Sequence, residues 1–163
     1  MKLIREAALS ELSIIRDLAY SIWPSAYGNI LSQQQLDYML DKIYSIASLQ
    51  KQFEEHHNFI LLFENNIPIG FASFSSKKNS SVYHLHKIYV SLEQHGTGSG
   101  KMLLNYVINS VKKNNATSLT LNVNRHNKAR YFYEKQGFIV KDKVDIDIGN
   151  GYFMNDYIME LLF

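Results

Sequence analysis

The chain of 163 residues has no cysteine, two prolines, one tryptophan and a formal net charge of only +2. Without cysteine there is no disulfide framework, no cysteine nucleophile and no thiolate metal site. A near-neutral balance, with basic residues interleaved among acidic ones, leaves no footprint for nucleic acid or an anionic membrane. Long apolar runs are missing too. The densest, FILLF from Phe59 to Phe63, falls far short of the ~20 residues that cross a bilayer. The opening stretch, MKLIREAALSEL, lacks an apolar core of signal-peptide length. These absences lead to the expectation of a cytoplasmic protein with no metal, no nucleic acid and no membrane among its partners.

What is present describes a packed domain. Hydrophobic residues make up 46% and charged residues 20%, which excludes disorder. The length suits one domain, 1–163, and no repeat, linker or low-complexity tract divides it. KLIREA reads as a short strand. The following stretch, SELSIIRDLAYSIW, sets Ile14, Ile15, Leu18, Ala19 and Ile22 on one helical stripe, with Ser10 as N-cap and Pro24 as the stop. Ser32 and Gln35 have capping-box spacing ahead of Leu36, Met39, Leu40 and Ile43, and SLQKQFEEHH forms a third short helix.

The period then shortens. NFILLF and IGFASFSS read as strands around the turn ENNIP. VYHLHKIYV alternates, with Val82, His84, His86, Ile88 and Val90 on one face and Tyr83, Leu85, Lys87 and Tyr89 on the other. After a glycine-rich loop come an amphipathic helix (Met102, Leu103, Tyr106, Val107, Val111), the strand SLTLNVN and a short helix, NKARYFYEKQ, closed by Gly137. Two final strands meet around GNG in a tight hairpin. The expected class is mixed α/β (α+β), a mostly antiparallel central sheet flanked by helices.

The loop EQHGTGSGK carries the first chemical signal. Gly96, Gly98 and Gly100 stand between a strand and a helix N-terminus, where backbone N–H groups lack partners and the helix dipole favours an anion. Lys101 adds a positive charge. An ordinary flexible connection has the same composition, so the glycines alone leave the ligand open. Two familiar loops are excluded. A P-loop would need glycine where His95 stands and a hydroxyl residue where Met102 stands, and a dinucleotide fingerprint would end on Lys101 or Leu103.

A second stretch, one supersecondary unit later, narrows the choice. With NKARYFYEKQGF in view, the chain resembles the GCN5-related N-acetyltransferases, which use acetyl-coenzyme A. Their pyrophosphate loop, Gln/Arg-x-x-Gly-x-Gly/Ala, matches His95-Gly96-Thr97-Gly98-Ser99-Gly100, followed by Lys101-Met102-Leu103-Leu104. Their later pattern matches Ala129, Phe132, Tyr133, Glu134, Lys135, Gly137 and Phe138. The element order agrees from about Leu3 to Leu162. The tail DIDIGNGYFMNDYIME and the helix QLDYMLDKIYS further resemble a bacterial subgroup near the polyamine (spermidine/spermine) acetyltransferases. Two positions depart from the pattern. His95 stands where the family usually has Gln or Arg, and His126 where it has asparagine. The cofactor-contacting role of that asparagine passes to Asn127, with Asn122 and Asn124 as rivals.

The resemblance implies direct attack of a primary amine, in a polyamine, another small amine or a peptide, on the acetyl thioester. The pantetheine arm would lie against exposed backbone of Ile88, Tyr89 and Val90, one N–H polarising the thioester carbonyl. Lys135 reaches the adenosine end or is simply solvated. Tyr133 is the implied acid for the departing thiolate, against the alternative of a core aromatic. For a tyrosine near pKa ~10 and a thiolate near ~8.5 that transfer is uphill by roughly 2 kcal/mol, whereas freeing an ammonium near ~10.4 at neutral pH costs about 4. The amine proton is therefore the larger task. His86, then His84, are the side-chain candidates for it, with a water chain as the alternative. Trp23 and Tyr27, with Tyr38 nearby, are candidates for substrate contact. Asp37 and Asp41 share a helix face that would attract a cation or merely face solvent, and Asp156 and Tyr157 are undecided. A homodimer is compatible with these features. Two rivals stand beside the enzyme: a non-catalytic acyl-coenzyme A sensor on the same fold, and a nucleotide hydrolase or kinase using GTGSGK.

Overall fold

The computed structural model describes residues 1–163. In chain order the elements are β1 (Lys2–Glu6), α1 (Leu12–Tyr27), α2 (Gln33–Tyr44), α3 (Ile46–Glu54), β2 (Asn58–Glu64), β3 (Ile67–Ser76) and β4 (Val82–Val90), then α4 (Ser99–Lys113), β5 (Ser118–Asn124), α5 (Ala129–Lys135), β6 (Ile139–Gly149) and β7 (Tyr152–Leu162). The seven strands form one sheet in the order β1-β2-β3-β4-β5-β7-β6. Every neighbouring pair is antiparallel except β4 and β5. This is the mixed, mostly antiparallel α/β arrangement that the element order implies. No helix is long and apolar enough to cross a membrane.

Helices cover both faces of the sheet, and each face builds its own core. On one, Leu103, Leu104, Val107 and Val111 of α4 pack against Leu85, Leu119, Leu121 and Val123. On the other, Ile15, Ala19, Trp23, Leu36, Tyr44 and Leu49 of α1–α3 pack against Leu61 and Phe71. Each buried Val, Leu, Ile or Phe among them contributes about 1.5–3 kcal/mol of transfer free energy. Strand β2 explains its own unbroken apolar run: Ile60 and Leu62 enter the first core while Phe59 and Leu61 enter the second. Ser32 caps α2 as its spacing predicts, accepting from the Gln35 N–H at 3.1 Å. The GNG hairpin turns through Asn150 and Gly151, both left-handed at φ 55° and 79°, as a two-residue primed turn requires.

Three sequence expectations need correction. Ser10 caps nothing; it lies in a short 3-10 turn, Leu9–Glu11, ahead of α1. The Glu11 carboxylate takes over the local N–H satisfaction, accepting from Ala8 N at 2.9 Å. Pro24 does not stop α1, which runs to Tyr27 and closes with Gly28 N–H donating to Pro24 O at 3.0 Å. The carbonyl that proline leaves unpaired belongs to Tyr20, on the exposed side of the helix, where water can serve it.

The third correction concerns β4. Lys87 pairs with Ser73 and Leu85 with the adjacent Phe74, so His86 is an extra residue bulged out of the ladder. A bulge resets the alternation of side chains. Tyr83, Leu85, Ile88 and Val90 consequently share the α4 face. Lys87 reaches the Tyr44 and Phe59 rings of the opposite core, and Tyr89 packs there as well. The strict two-residue alternation read from VYHLHKIYV breaks at His86.

Candidate active site

The same bulge opens the site. Strands β4 and β5 pair only from Val82 opposite Ser118 to Leu85 opposite Leu121. Beyond Leu85, β4 stays paired with β3 on one edge, and its other edge has no strand partner. A bulge bends its strand and sharpens the twist, and the two strands part from that point. The gap is a cleft of about 870 Å³. Its walls include β4 from Leu85 to Val90, β5 from Leu121 to Val123, the glycine loop, α1 at Ile22 and Tyr27, and α5 at Phe132 and Tyr133. The backbone of Ile88, Tyr89 and Val90 therefore fronts a groove, in the place where the resemblance requires an extended ligand to lie.

At one end of the cleft the loop meets the start of α4. Gly96 and Gly98 are left-handed, at φ 82° and 84°, and a Cβ on either would meet no atom within 4 Å. Conformation, not crowding, is what requires glycine at these two positions. Gly98 is the N-cap residue; no side chain caps α4 and no acidic residue sits in its first turn. The N–H groups of that first turn have no capping side chain, and Gly98, Gly100 and Lys101 line the cleft, an arrangement suited to an anion. His95, His126 and Lys128 line the same wall. The Ser99 side chain is buried instead, and the Thr97 hydroxyl, on an exposed residue, bonds back within the loop. Lys2 Nζ donates to Ser99 Oγ at 2.8 Å, and both hydroxyls bond the Gln94 side chain at 3.2 Å. Gln94 also donates to Glu64 at 2.7 Å. The residue bracing the loop is thus Gln94, one place before the His95 that the family pattern selects.

Across the cleft, α5 presents Tyr133. Its ring packs against Phe132 at 5.3 Å and Phe138 at 5.8 Å between centroids and is 8% exposed. The helix ends in a Schellman motif: Phe138 N–H donates to Tyr133 O at 3.1 Å and Gly137 N–H to Glu134 O at 3.0 Å, with Gly137 at φ 100°. That closure fixes the backbone carrying Tyr133. Burial pushes its phenol above the ordinary tyrosine range, and the charge of nearby Tyr27 acts in the same direction. It is protonated at neutral pH and available as a donor. Asn127 lies in the wall with Oδ1 accepting from Ala129 N at 2.9 Å, which braces the entry to α5. Asn124 makes a similar local turn to His126 N, while Asn122 lines the cleft and donates to Asp156 at 3.3 Å. Lys135 is exposed outside the cleft, at the far end of α5.

The remaining candidates divide. Tyr27 lines the cleft and its hydroxyl bonds that of Tyr89 at 2.8 Å. Trp23 is 3% exposed and sits behind them, 4.6 Å from Tyr27 and 5.4 Å from Tyr44 between ring centroids; it supports the wall and does not form it. Tyr38 donates to Ile148 O at 2.8 Å, and Gln35 to Phe153 O at 3.2 Å, so α2 latches the β6–β7 hairpin. Asp37 and Asp41 are exposed on α2, the former accepting from Gln33. Tyr157 receives the guanidinium of Arg130 at 4.9 Å from its ring centroid.

The histidines form a group that sequence spacing does not reveal. His86 lines the cleft, stacks on His57 at 4.0 Å and bonds Ser75 Oγ at 2.7 Å. His84 lies edge-on to His86 at 5.0 Å and bonds Thr120 at 2.7 Å. Burial first, then neighbouring positive charge, lowers His84 to about 4; the same causes lower His86, whose ring is nevertheless partly open to solvent. Solvent on the open side of His86 softens its penalty, but the sign holds: both rings are neutral and both are weak proton acceptors. Lys87, beside them, is 7% exposed and donates to Gln52 at 2.6 Å; burial alone brings it down to about 8.

A cleft between splayed parallel strands, with a glycine turn at one end and a tyrosine helix at the other, coincides with a family match. The model for the acetyltransferase (GNAT) domain covers residues 29–160. The chain belongs to the GNAT acetyltransferase family. Its sequence is 34% identical over 103 residues to the ribosomal protein bS18-alanine N-acetyltransferase of Haemophilus influenzae, covering 63% of this chain and 67% of that one. It is 35% identical over 98 residues to an uncharacterized N-acetyltransferase, YhfO, of Bacillus subtilis, covering 56% of this chain and 66% of that one. The matched segment thus spans about two thirds of each relative. Among solved structures, PaiA N-acetyltransferase of Thermoplasma acidophilum in complex with coenzyme A superposes with a TM-score of 0.86 over 100% of this chain and 99% of that chain, at 24% identity. That likeness establishes the GNAT fold. Of these relatives, the one whose name states a substrate names a ribosomal-protein alanine and not a polyamine.

Proposed function

We propose that this GNAT enzyme transfers an acetyl group from acetyl-CoA directly to the α-amine of a peptide or protein N-terminus, or to a small primary amine in the same pose. The observation that carries the reading is the cleft where β4 and β5 part. An extended pantetheine arm would lie on the unpaired backbone of Ile88–Val90, with its pyrophosphate at Gly96–Lys101. Tyr133 would donate to the sulfur as it leaves. A β4 N–H facing the gap would hold the carbonyl oxygen as charge develops there. No covalent acyl-enzyme is involved, and the chain has no cysteine to form one.

The acceptor follows from proton accounting. The lowered His84 and His86 are poor takers of an ammonium proton. Freeing an alkyl ammonium near ~10.4 at pH ~7.5 costs about 4 kcal/mol, whereas a peptide α-amine near ~8 costs under about 1 kcal/mol. A site short of strong bases favours the α-amine. The name of the Haemophilus relative agrees with this preference. The test is acetyl transfer followed by mass spectrometry, with a short alanine-initiated peptide and spermidine as competing acceptors. Faster acetylation of the peptide supports the reading, and acetylation of spermidine alone would replace the α-amine with a polyamine. A sensor that binds acyl-CoA without turnover would acetylate neither.

A further inference from the structure

The fork where β4 leaves β5 carries a basic cluster that the acetyl transfer does not use. Leu85 opposite Leu121 is the last rung, and His86 is the first residue beyond it. His86 is exposed and lines the cleft. Its ring stacks on that of His57, just ahead of β2, at 4.0 Å and 4° between planes, and His84 stands edge-on to it at 5.0 Å. Hydroxyls hold two of the rings from behind: Ser75 Oγ bonds His86 Nε2 and Thr120 Oγ1 bonds His84 Nδ1, each at 2.7 Å. His57 Nδ1 is buried with no partner in the chain. The charges that act on His84 and His86 are all positive, with Lys77 and Lys87 among them. The one opposing carboxylate, Glu55, acts on His57. No aspartate or glutamate lines the cleft, and no three histidine or acidic side chains are placed to share a metal ion. Such a group suits an anion. It is not the phosphate site. Val90 lies four residues further along β4, roughly 13 Å at the rise of a strand, and the glycine turn lies beyond that.

Resting on the acetyltransferase reading, we propose that this cluster is the subsite for a carboxylate that the acceptor carries within one residue of its reacting amine. The amine has to meet the thioester in the β4–β5 gap, so the group next to it lies against the fork and His86. Two sources have this chemistry: an acidic side chain at the second position of a peptide, and the α-carboxylate of a free amino acid. In the empty cleft the rings are neutral, because burial and the lysine charges disfavour the cation. An arriving carboxylate reverses that balance. It accepts a hydrogen bond from a ring N–H and brings the negative charge that a protonated ring requires. Two parallel rings 4.0 Å apart do not both become charged, so His57 and His86 share a single added proton. The binding step is carboxylate plus neutral imidazole plus H⁺ from solvent, giving a carboxylate–imidazolium pair with no covalent change. Spermidine is disfavoured, since its amines add positive charge beside a wall that is already positive.

The experiment measures kcat/KM with acetyl-CoA for two matched pairs of acceptors, each rate referred to the fraction of free amine. One pair is a peptide beginning Ala-Glu against the same peptide beginning Ala-Gln; the other is alanine against alaninamide. The expected preference for the carboxylate member is at least about fivefold in one pair, and the pair that shows it names the source. In His86→Gln that preference should fall to less than about half of its wild-type value. Calorimetric titration of the wild-type CoA complex, in buffers of different ionisation enthalpy, should show the preferred acceptor taking up about one more proton than its amide partner. A smaller preference in both pairs overturns the proposal, as does a His86→Gln variant that keeps the wild-type preference. Should the variant not fold, the proton count in wild type decides, and equal uptake by the two partners counts against the subsite. If acetyl-CoA does not bind wild type, the acetyltransferase reading falls and takes this inference with it. If acetyl-CoA binds and these acceptors are acetylated without a carboxylate preference, or not at all, only this inference falls.

Discussion

Replacing Tyr133 with phenylalanine removes one oxygen and leaves the packing. The ring is held by Phe132, Phe138 and the Schellman closure of α5, so losing the hydroxyl opens no cavity in the core. Stability should stay within about 1 kcal/mol, a shift of roughly 2–4 °C for a chain of this size. Turnover is a different matter. Burial holds the phenol above the ordinary tyrosine range, so complete proton transfer from it is harder than for a free tyrosine, and its contribution is a hydrogen bond that strengthens as sulfur becomes thiolate. A hydrogen bond to a charged group is worth about 1.5–3 kcal/mol, so kcat should fall roughly 10- to 150-fold. Because the bond forms with the leaving group and not with bound acetyl-CoA, the dissociation constant should change less than threefold. Single-turnover kinetics with a slow amine would isolate the chemical step, and calorimetric titration would give the affinity. A variant with wild-type kcat under those conditions refutes the acid role, and Tyr133 is then a wall residue.

Three further outcomes follow from the geometry. Gly98→Val places a β-branched residue at φ 84°, which costs about 1–2 kcal/mol and should weaken acetyl-CoA binding at least tenfold by titration. Gly100→Ala, whose Cβ would meet only Phe132 Cζ at 3.8 Å, should bind within about threefold of wild type; equal losses in both would show that composition and not conformation governs the loop. Gln94→Ala removes the brace to Glu64, Thr97 and Ser99, so acetyl-CoA affinity should drop about 5- to 10-fold with the fold retained by circular dichroism. The lowered His84 is neutral in the fold, whereas the unfolded chain takes up that proton below its ordinary value near 6.5. The stability present above ~6.5 is therefore lost as pH falls towards about 4, by up to about 3 kcal/mol. Denaturant melts of His84→Gln should show a flatter acid limb than wild type, and identical limbs would contradict the assignment.

Periodicity and punctuation carried most of the architecture. The strand, the helix stripes, the Ser32 cap, the Gly137 closure and the GNG hairpin all act over a few residues, and each left its mark in spacing. The bulge at His86 is different, because one extra residue in a ladder depends on which partner strand lies alongside, and VYHLHKIYV reads as regular by itself. Its consequence, the parting of β4 from β5, was legible only through the family resemblance. Pro24 misled because its missing N–H is tolerated where the carbonyl it would serve faces solvent. The glycine loop was legible as a turn into the start of α4, but its brace passed to Gln94, since that side chain reaches Glu64 across the fold. Trp23 looked like a contact residue and is a buried support. Asp156, one undecided acid among several, is set against Asn124 by the ladder and lies outside the cleft wall.

The central claim is that the β4–β5 cleft holds acetyl-CoA. Thermal melts of the wild-type protein with acetyl-CoA, CoA, ATP plus magnesium, and NAD test it most directly. A ligand at ~100 times its dissociation constant stabilises the fold that binds it by about 2.7 kcal/mol, which for this length raises the melting temperature by roughly 5–11 °C. The account predicts that rise for acetyl-CoA and CoA, its loss in Gly98→Val, and none for the other two. A rise with ATP or NAD, and none with the CoA compounds, would contradict it.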